Sequence, residues 1–122
     1  MSGRSILIIE DEPLIAMMLE DFVESLGYSP AGTADNIDDA LQCIERGGFD
    51  LVILDVNLGT RECWPVADRL AEQAIPFILA TGGHVTPPPA HHAEVPTLTK
   101  PFTLDSVREA LDNADVTERD IS

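Results

Sequence analysis

Short apolar runs in this chain end in polar residues whose types suit phosphoryl transfer. Ile6-Leu7-Ile8-Ile9 leads into Glu10-Asp11-Glu12, Leu51-Val52-Ile53-Leu54 leads into Asp55, and Phe77-Ile78-Leu79-Ala80 leads into Thr81. The only lysine, Lys100, stands in Thr99-Lys100-Pro101-Phe102. Lysines are normally scattered over a surface, so a single one followed by a proline that fixes the backbone reads as the cation of an acidic pocket. Carboxylates held within a few ångströms repel one another unless a cation intervenes. Mg²⁺ is the natural partner, because it takes one or two carboxylates with waters and phosphate oxygens; Asp11, Asp55 and one nearby backbone carbonyl fit that need. Asp55 then reads as a nucleophile for a phosphoryl group, whose oxygens would be neutralised by the metal, Lys100 and the Thr81 hydroxyl. Any one strand-end Asp equally caps a turn or a helix, so the reading rests on the set.

These residues can meet only if the intervening chain places them at one edge. Ile6 to Ile9 has the continuous apolar character of a strand buried on both faces of a parallel sheet. Pro13 suits a first helical position, and Leu14, Ile15, Met18, Leu19, Phe22, Val23 and Leu26 follow at helical spacing until Gly27, with the methionines read as core filler. A weak strand is expected around Tyr28 to Gly32, then a helix from Ile37 to Arg46 with Ile37, Ala40, Leu41 and Ile44 on one face, ended by Gly47-Gly48. Leu51 to Leu54 is the next strand, followed by a turn through Asn57-Leu58-Gly59 and a helix from near Pro65 with Val66, Ala67, Leu70 and Ala71 inward. Phe77 to Ala80 and Thr97 to Thr99 complete the strands, and a last helix from about Thr103 presents Leu104, Val107, Ala110 and Leu111. Strands alternating with helices predict an open, doubly wound α/β sheet, in which ligands bind outside the carboxyl ends of the strands. Glu10, Asp11, Asp55, Thr81 and Lys100 all fall at such ends.

Composition narrows the class. A chain of 122 residues makes one domain, with a core over about residues 4–114 and an acidic tail over 115–122. A formal charge of −15, from 22 acidic and 7 basic residues, and the lack of any basic stripe argue against direct nucleic-acid binding. Much of that acidity (Glu20, Asp21, Glu24, Asp38, Asp39, Glu45, Asp68 and Glu72) belongs on solvated helix faces. Cys43 and Cys63 are too far apart for a metal or redox pair and read as buried thiols in a reducing compartment. No apolar stretch approaches the roughly 20 residues of a membrane span, and the N-terminus lacks a signal-peptide pattern, so a cytoplasmic location without membrane insertion is expected.

The acidic pair, Asp55, Thr81 and Lys100-Pro101-Phe102 stand in an order and spacing that resemble the receiver domains of two-component response regulators, over nearly the whole chain. The resemblance implies a flavodoxin-like, CheY-like five-stranded parallel sheet of order 2-1-3-4-5. It also implies that Asp55 is the phosphoacceptor, that Asp11, Asp55 and the Asn57 backbone carbonyl bind Mg²⁺, with Mn²⁺ as a substitute, and that Glu10 contributes directly or through water. Thr81 and Lys100 would hold the phosphoryl oxygens. The donor would be the phosphohistidine of a sensor histidine kinase. The chain itself would not be an enzyme but would assist its own phosphorylation and dephosphorylation. A narrower likeness lies in Pro76-Phe77-Ile78-Leu79-Ala80-Thr81-Gly82-Gly83 and Asp55-Val56-Asn57-Leu58, which look like an alphaproteobacterial single-domain group with a PFxFATG(G/Y) motif, Leu79 replacing the second Phe. Members of that group commonly work with HWE or related kinases. Only one helix and the acidic tail follow Lys100, so a stand-alone regulator is expected, with output to a downstream protein or phosphotransfer partner. The alternatives are a phosphate sink and a phosphorylation-independent kinase inhibitor.

Two departures bear on switching. Thr97 occupies the position where many receivers carry a Tyr or Phe that reports phosphorylation. Pro87-Pro88-Pro89, within Gly82 to His92, forbids an ordinary helix, so the fourth helix is expected to be irregular or shortened, and phosphorylation could order this segment. His84, His91 and His92 read as solvent-exposed loop residues rather than metal ligands, Pro87 to Pro89 as a stiff loop, and Trp64 as either a helix-entry anchor or a partner contact. A haloacid dehalogenase-type phosphatase also uses an aspartyl nucleophile with Mg²⁺, but its nucleophile follows the first strand and its acidic pair comes last, the reverse of this order. A flavodoxin-like cofactor module would cradle phosphate after the first strand, where Glu10-Asp11-Glu12 would repel it.

Overall fold

The computed structural model describes residues 4–59, 61–81, 95–99 and 102–121, with side chains through Ala114. β1 (Ser5–Ile9), α1 (Pro13–Ser25), β2 (Ser29–Ala34), α2 (Ile37–Arg46) and β3 (Leu51–Asp55) form the first half. β4 (Asn57–Leu58), β5 (Arg61–Glu62), α3 (Trp64–Glu72), β6 (Phe77–Thr81), β7 (Thr97–Thr99) and α4 (Leu104–Ile121) follow. Five strands make one parallel sheet in the order β2-β1-β3-β6-β7. This is the expected 2-1-3-4-5 order of the doubly wound, flavodoxin-like arrangement, with the labels shifted by a short hairpin.

Alternation along the central strands divides the core in two. Leu7, Ile9, Val52, Leu54, Phe77 and Leu79 face α2 and α3, while Ile6, Ile8, Leu51, Ile53, Ile78 and Ala80 face α1 and α4. Burial on both faces is why these strands read as unbroken apolar runs instead of alternating ones. Local chemistry sets the helix ends. Pro13 opens α1, the Asn36 side chain caps α2 by accepting from the Asp39 amide at 2.8 Å, and Gly47 leaves α2 at φ 72°. Thr103 and Ser106 exchange backbone-to-hydroxyl bonds of 3.0 and 2.9 Å ahead of α4, a reciprocal cap. α4 continues to Ile121, so the acidic tail is helical backbone.

Several expectations are corrected. Leu14 is 80% exposed and Met17 59%, because the inward stripe of α1 is Ala16, Leu19 and Val23 and the other two lie off it. Met18 does pack against the core. Ala71, in the last turn of α3, and Leu104, the first residue of α4, are likewise exposed. Of the two thiols, Cys63 is buried and Cys43 only half-buried. Glu20, assigned to a solvated face, is half-buried. The weak second strand runs over Ser29–Ala34 and carries a bulge, since Ile6 pairs with Pro30 and Leu7 with Gly32, leaving Ala31 extra. The turn after β3 is a small antiparallel hairpin, β4–β5, with Gly59 at φ 68°. The expected irregular fourth helix, the three histidines and the proline run fall within 82–94, outside the described residues, as do Lys100 and Pro101.

Candidate functional site

β1 and β3 are neighbours in the sheet, with Ile9 paired to Leu54, so Glu10 and Asp55 emerge side by side at the same edge. Glu10 is held at its backbone by its amide, which donates to the Ala34 carbonyl at 2.9 Å, and its Oε2 accepts from the Glu12 amide at 3.2 Å. β6 adds the next position. Asp55 pairs with Ala80, and the Val56 amide donates to the Ala80 carbonyl at 2.9 Å, so Thr81 stands one residue farther along the same edge. Glu10, Asp55 and Thr81 are buried, at 2%, 3% and 8% exposure, while Asp11 is half-buried.

Glu10, Asp11 and Asp55 each offer a carboxylate oxygen, and these oxygens lie within 4.8 Å of one another. Three carboxylates at that range suit a hard, oxygen-seeking divalent cation and no soft metal. The site's negative charge is felt beyond it: burial pushes the Cys63 thiol up to about 12, and the Asp55 charge adds in the same direction. A cleft of about 300 Å³ opens beside the acidic pair, lined by Glu10, Asp11, Thr33, Asp35 and Asp39 among others.

Sequence reasoning did not foresee the part played by the hairpin. The Gly59 amide donates to Asp11 Oδ2 at 2.9 Å across 48 residues, and the Asn57 amide donates to Asp55 Oδ1 at 3.3 Å. The available signal was Asn57-Leu58-Gly59, which announces a tight turn but not what its amides face. Thr97 is exposed, with its hydroxyl donating to the Val95 carbonyl at 3.3 Å. Trp64 is half-buried at the start of α3, packed against the α2–α3 side of the core, with its Nε1 donating to Glu62 at 3.2 Å; this is the helix-entry role.

The family model for the response regulator receiver domain matches residues 6–112. The chain belongs to that family. This receiver is 51% identical to SdrG from Sphingomonas melonis Fr1, whose solution structure superimposes with a TM-score of 0.84 over 93% of this chain and 98% of that one. The structure of the anti-anti-sigma factor PhyR from Bartonella quintana is similar at 28% identity and a TM-score of 0.82, covering 99% of the receiver and 51% of PhyR. Among curated proteins, the sensor histidine kinase RcsC of Salmonella typhi is 28% identical over 111 residues, which are 87% of this chain and 12% of RcsC. The receiver therefore spans a small part of RcsC, and it spans 44% of another relative, the transcriptional regulatory protein TcrA of Mycobacterium tuberculosis. Among the described residues no helix is long and apolar enough to cross a membrane.

Proposed function

We propose that this receiver accepts a phosphoryl group on Asp55 from the phosphohistidine of a sensor histidine kinase and signals by protein–protein contact. The observation that carries the reading is the convergence of Glu10, Asp11 and Asp55 within 4.8 Å at the carboxyl edge of β1 and β3, with Thr81 on the adjoining strand. An Asp55 carboxylate oxygen attacks phosphorus, the P–O bond forms as the P–N bond breaks, and the electron pair leaves with the imidazole nitrogen. Glu10, Asp11 and Asp55, with the Asn57 carbonyl, would hold Mg²⁺ or Mn²⁺. When bound, the ion offsets the negative charge of the carboxylates and the phosphoryl oxygens. The Thr81 hydroxyl is assigned to a phosphoryl oxygen, and so is Lys100, which follows Thr99, the β7 partner of Thr81.

On this reading the chain is a phosphoacceptor that assists its own phosphorylation and dephosphorylation and not an enzyme acting on a separate substrate. The PFILATGG stretch and the likeness to SdrG support the narrower single-domain grouping and, with it, a kinase of the HWE or related type. The anti-anti-sigma description of PhyR and the formal charge of −15 support output to a protein target rather than to nucleic acid. The absence of a long apolar helix among the described residues, with the reducing-compartment reading of two free cysteines, supports a cytoplasmic location. The test is intact-mass measurement of the wild type and Asp55→Asn after incubation with Mg²⁺ and acetyl phosphate. A single phosphoryl adduct that needs both Mg²⁺ and Asp55 is expected. An adduct that survives Asp55→Asn would remove Asp55 from its role.

A further inference from the structure

We propose that the β4–β5 hairpin is a positioning element of the acidic site and acts through the backbone amide of Gly59. The proposal rests on the reading that Glu10, Asp11 and Asp55 take a divalent cation. Asp11 is the least buried of the three, so packing restrains its carboxylate less than it restrains Glu10 or Asp55. What fixes it instead is the 2.9 Å bond from the Gly59 amide to Oδ2, made across 48 residues of chain. Two residues earlier the Asn57 amide faces Asp55 Oδ1 at 3.3 Å. One short stretch thus directs two N–H groups at two carboxylates, one in the turn after β1 and one at the end of β3, which sets their separation.

The hairpin is built to hold that geometry. Leu58 is buried between the exposed Asn57 and Gly59, and the Cys63 amide closes the base by donating to the Val56 carbonyl at 2.8 Å. Gly59 sits at φ 68°, a left-handed conformation in which an L side chain is strained, yet a Cβ there would meet nothing within 4 Å. A substitution at this position therefore perturbs the backbone conformation without a clash. If Gly59→Ala disfavours the hairpin that aims the amide at Asp11, the apparent affinity for the cation falls by the fraction of molecules that keep it.

Mn²⁺ binding, read from the spectrum of the free ion, and the metal-free melting temperature are measured for the wild type, Gly59→Ala and Gly59→Asn. Asn tolerates the left-handed region far better than Ala. Gly59→Ala is expected to remain folded and to bind Mn²⁺ about 3- to 30-fold more weakly, with Gly59→Asn restoring most of the loss. Unchanged affinity in Gly59→Ala, with normal uptake by the wild type, would overturn the positioning role and leave the metal reading intact. Equal weakening in Gly59→Asn would also overturn it, because the loss would then follow the side chain and not the backbone. A wild type that takes up no Mn²⁺ would overturn both. If Gly59→Ala does not fold, Gly59→Asn alone decides: affinity near that of the wild type supports the proposal, and a loss of about threefold or more refutes it.

Discussion

Neutralising Asp55 should stabilise the receiver when no divalent cation is present. The three carboxylate oxygens of Glu10, Asp11 and Asp55 lie within 4.8 Å of one another, and two unit charges at that distance repel by about 3.5 kcal/mol at an effective dielectric of about 20. Unfolding separates Asp55 from Glu10 and Asp11, which are distant in sequence, and relieves the repulsion, so it burdens only the native state. Asp55→Asn removes the charge without opening a cavity, and its amide oxygen can still accept from the Asn57 N–H, as Oδ1 does at 3.3 Å. The full Coulomb value is a ceiling, because Asp11 is half in solvent, the Lys100 cation assigned to this pocket offsets part of the charge, and the amide forms weaker hydrogen bonds than the carboxylate. A gain of about 1–3 kcal/mol is expected, or roughly 4–12 °C in Tm for a domain of this size. Thermal unfolding by circular dichroism in a chelating buffer reads it directly. Excess Mg²⁺ should close or reverse the gap, since a ligand present at about 100 times its Kd stabilises the wild type by about 2.7 kcal/mol and the variant has lost a donor. An Asp55→Asn protein that melts at or below the wild type in chelator would refute the reasoning.

Three further outcomes follow from burial. Cys63 is fully buried with its thiol raised from 9.0 to about 12, whereas Cys43 is half-buried, so a thiol reagent followed by mass spectrometry should label Cys43 first and leave Cys63 untouched in the native state. Because the folded pKa lies above the unfolded one, the contribution of Cys63 to stability is fully present below about pH 9 and declines as the pH rises from there toward 12, which alkaline urea titrations would detect. Leu14→Ala, at a site 80% exposed, should change unfolding free energy by less than about 0.5 kcal/mol, and Leu19→Ala, at a site fully buried, should cost about 2–5 kcal/mol by the same titration.

What could be read in advance follows from how strongly each residue's neighbours constrain it. β1 and β3 were legible because strands buried on both faces leave unbroken apolar runs, and α2 because Ile37, Ala40, Leu41 and Ile44 recur at helical spacing and Gly47 marks its end. Glu10, Asp11, Asp55 and Thr81 were legible as a set because strand ends in such a sheet converge, and the structure brings the three carboxylates together with Thr81 one strand away. Lys100 lies outside the described residues, so its place in the set rests on the sequence. The hairpin was not legible, since two-residue strands carry no periodicity and Asn57-Leu58-Gly59 announces only a turn. Leu14 and Met17 misled for the opposite reason: a helix rich in apolar residues matches the helical period on more than one face, and only packing shows which stripe is inward.

The bulge in β2 has a consequence for how this molecule behaves among its own copies. β2 is the outer strand on one side of the sheet, and an outer strand exposes a row of amides and carbonyls on which another chain can assemble. Pro30 has no N–H to offer, the extra residue Ala31 breaks the repeat, and Gly32 at φ 149° turns the backbone out of regular strand geometry. On the other side the outer strand, β7, is only three residues long. Among the described residues neither border presents a long regular template, and like charges on a chain of formal charge −15 repel at close approach. The sheet can therefore keep strongly apolar central strands, which fix the acidic edge in place, without those strands becoming the seed of a fibril.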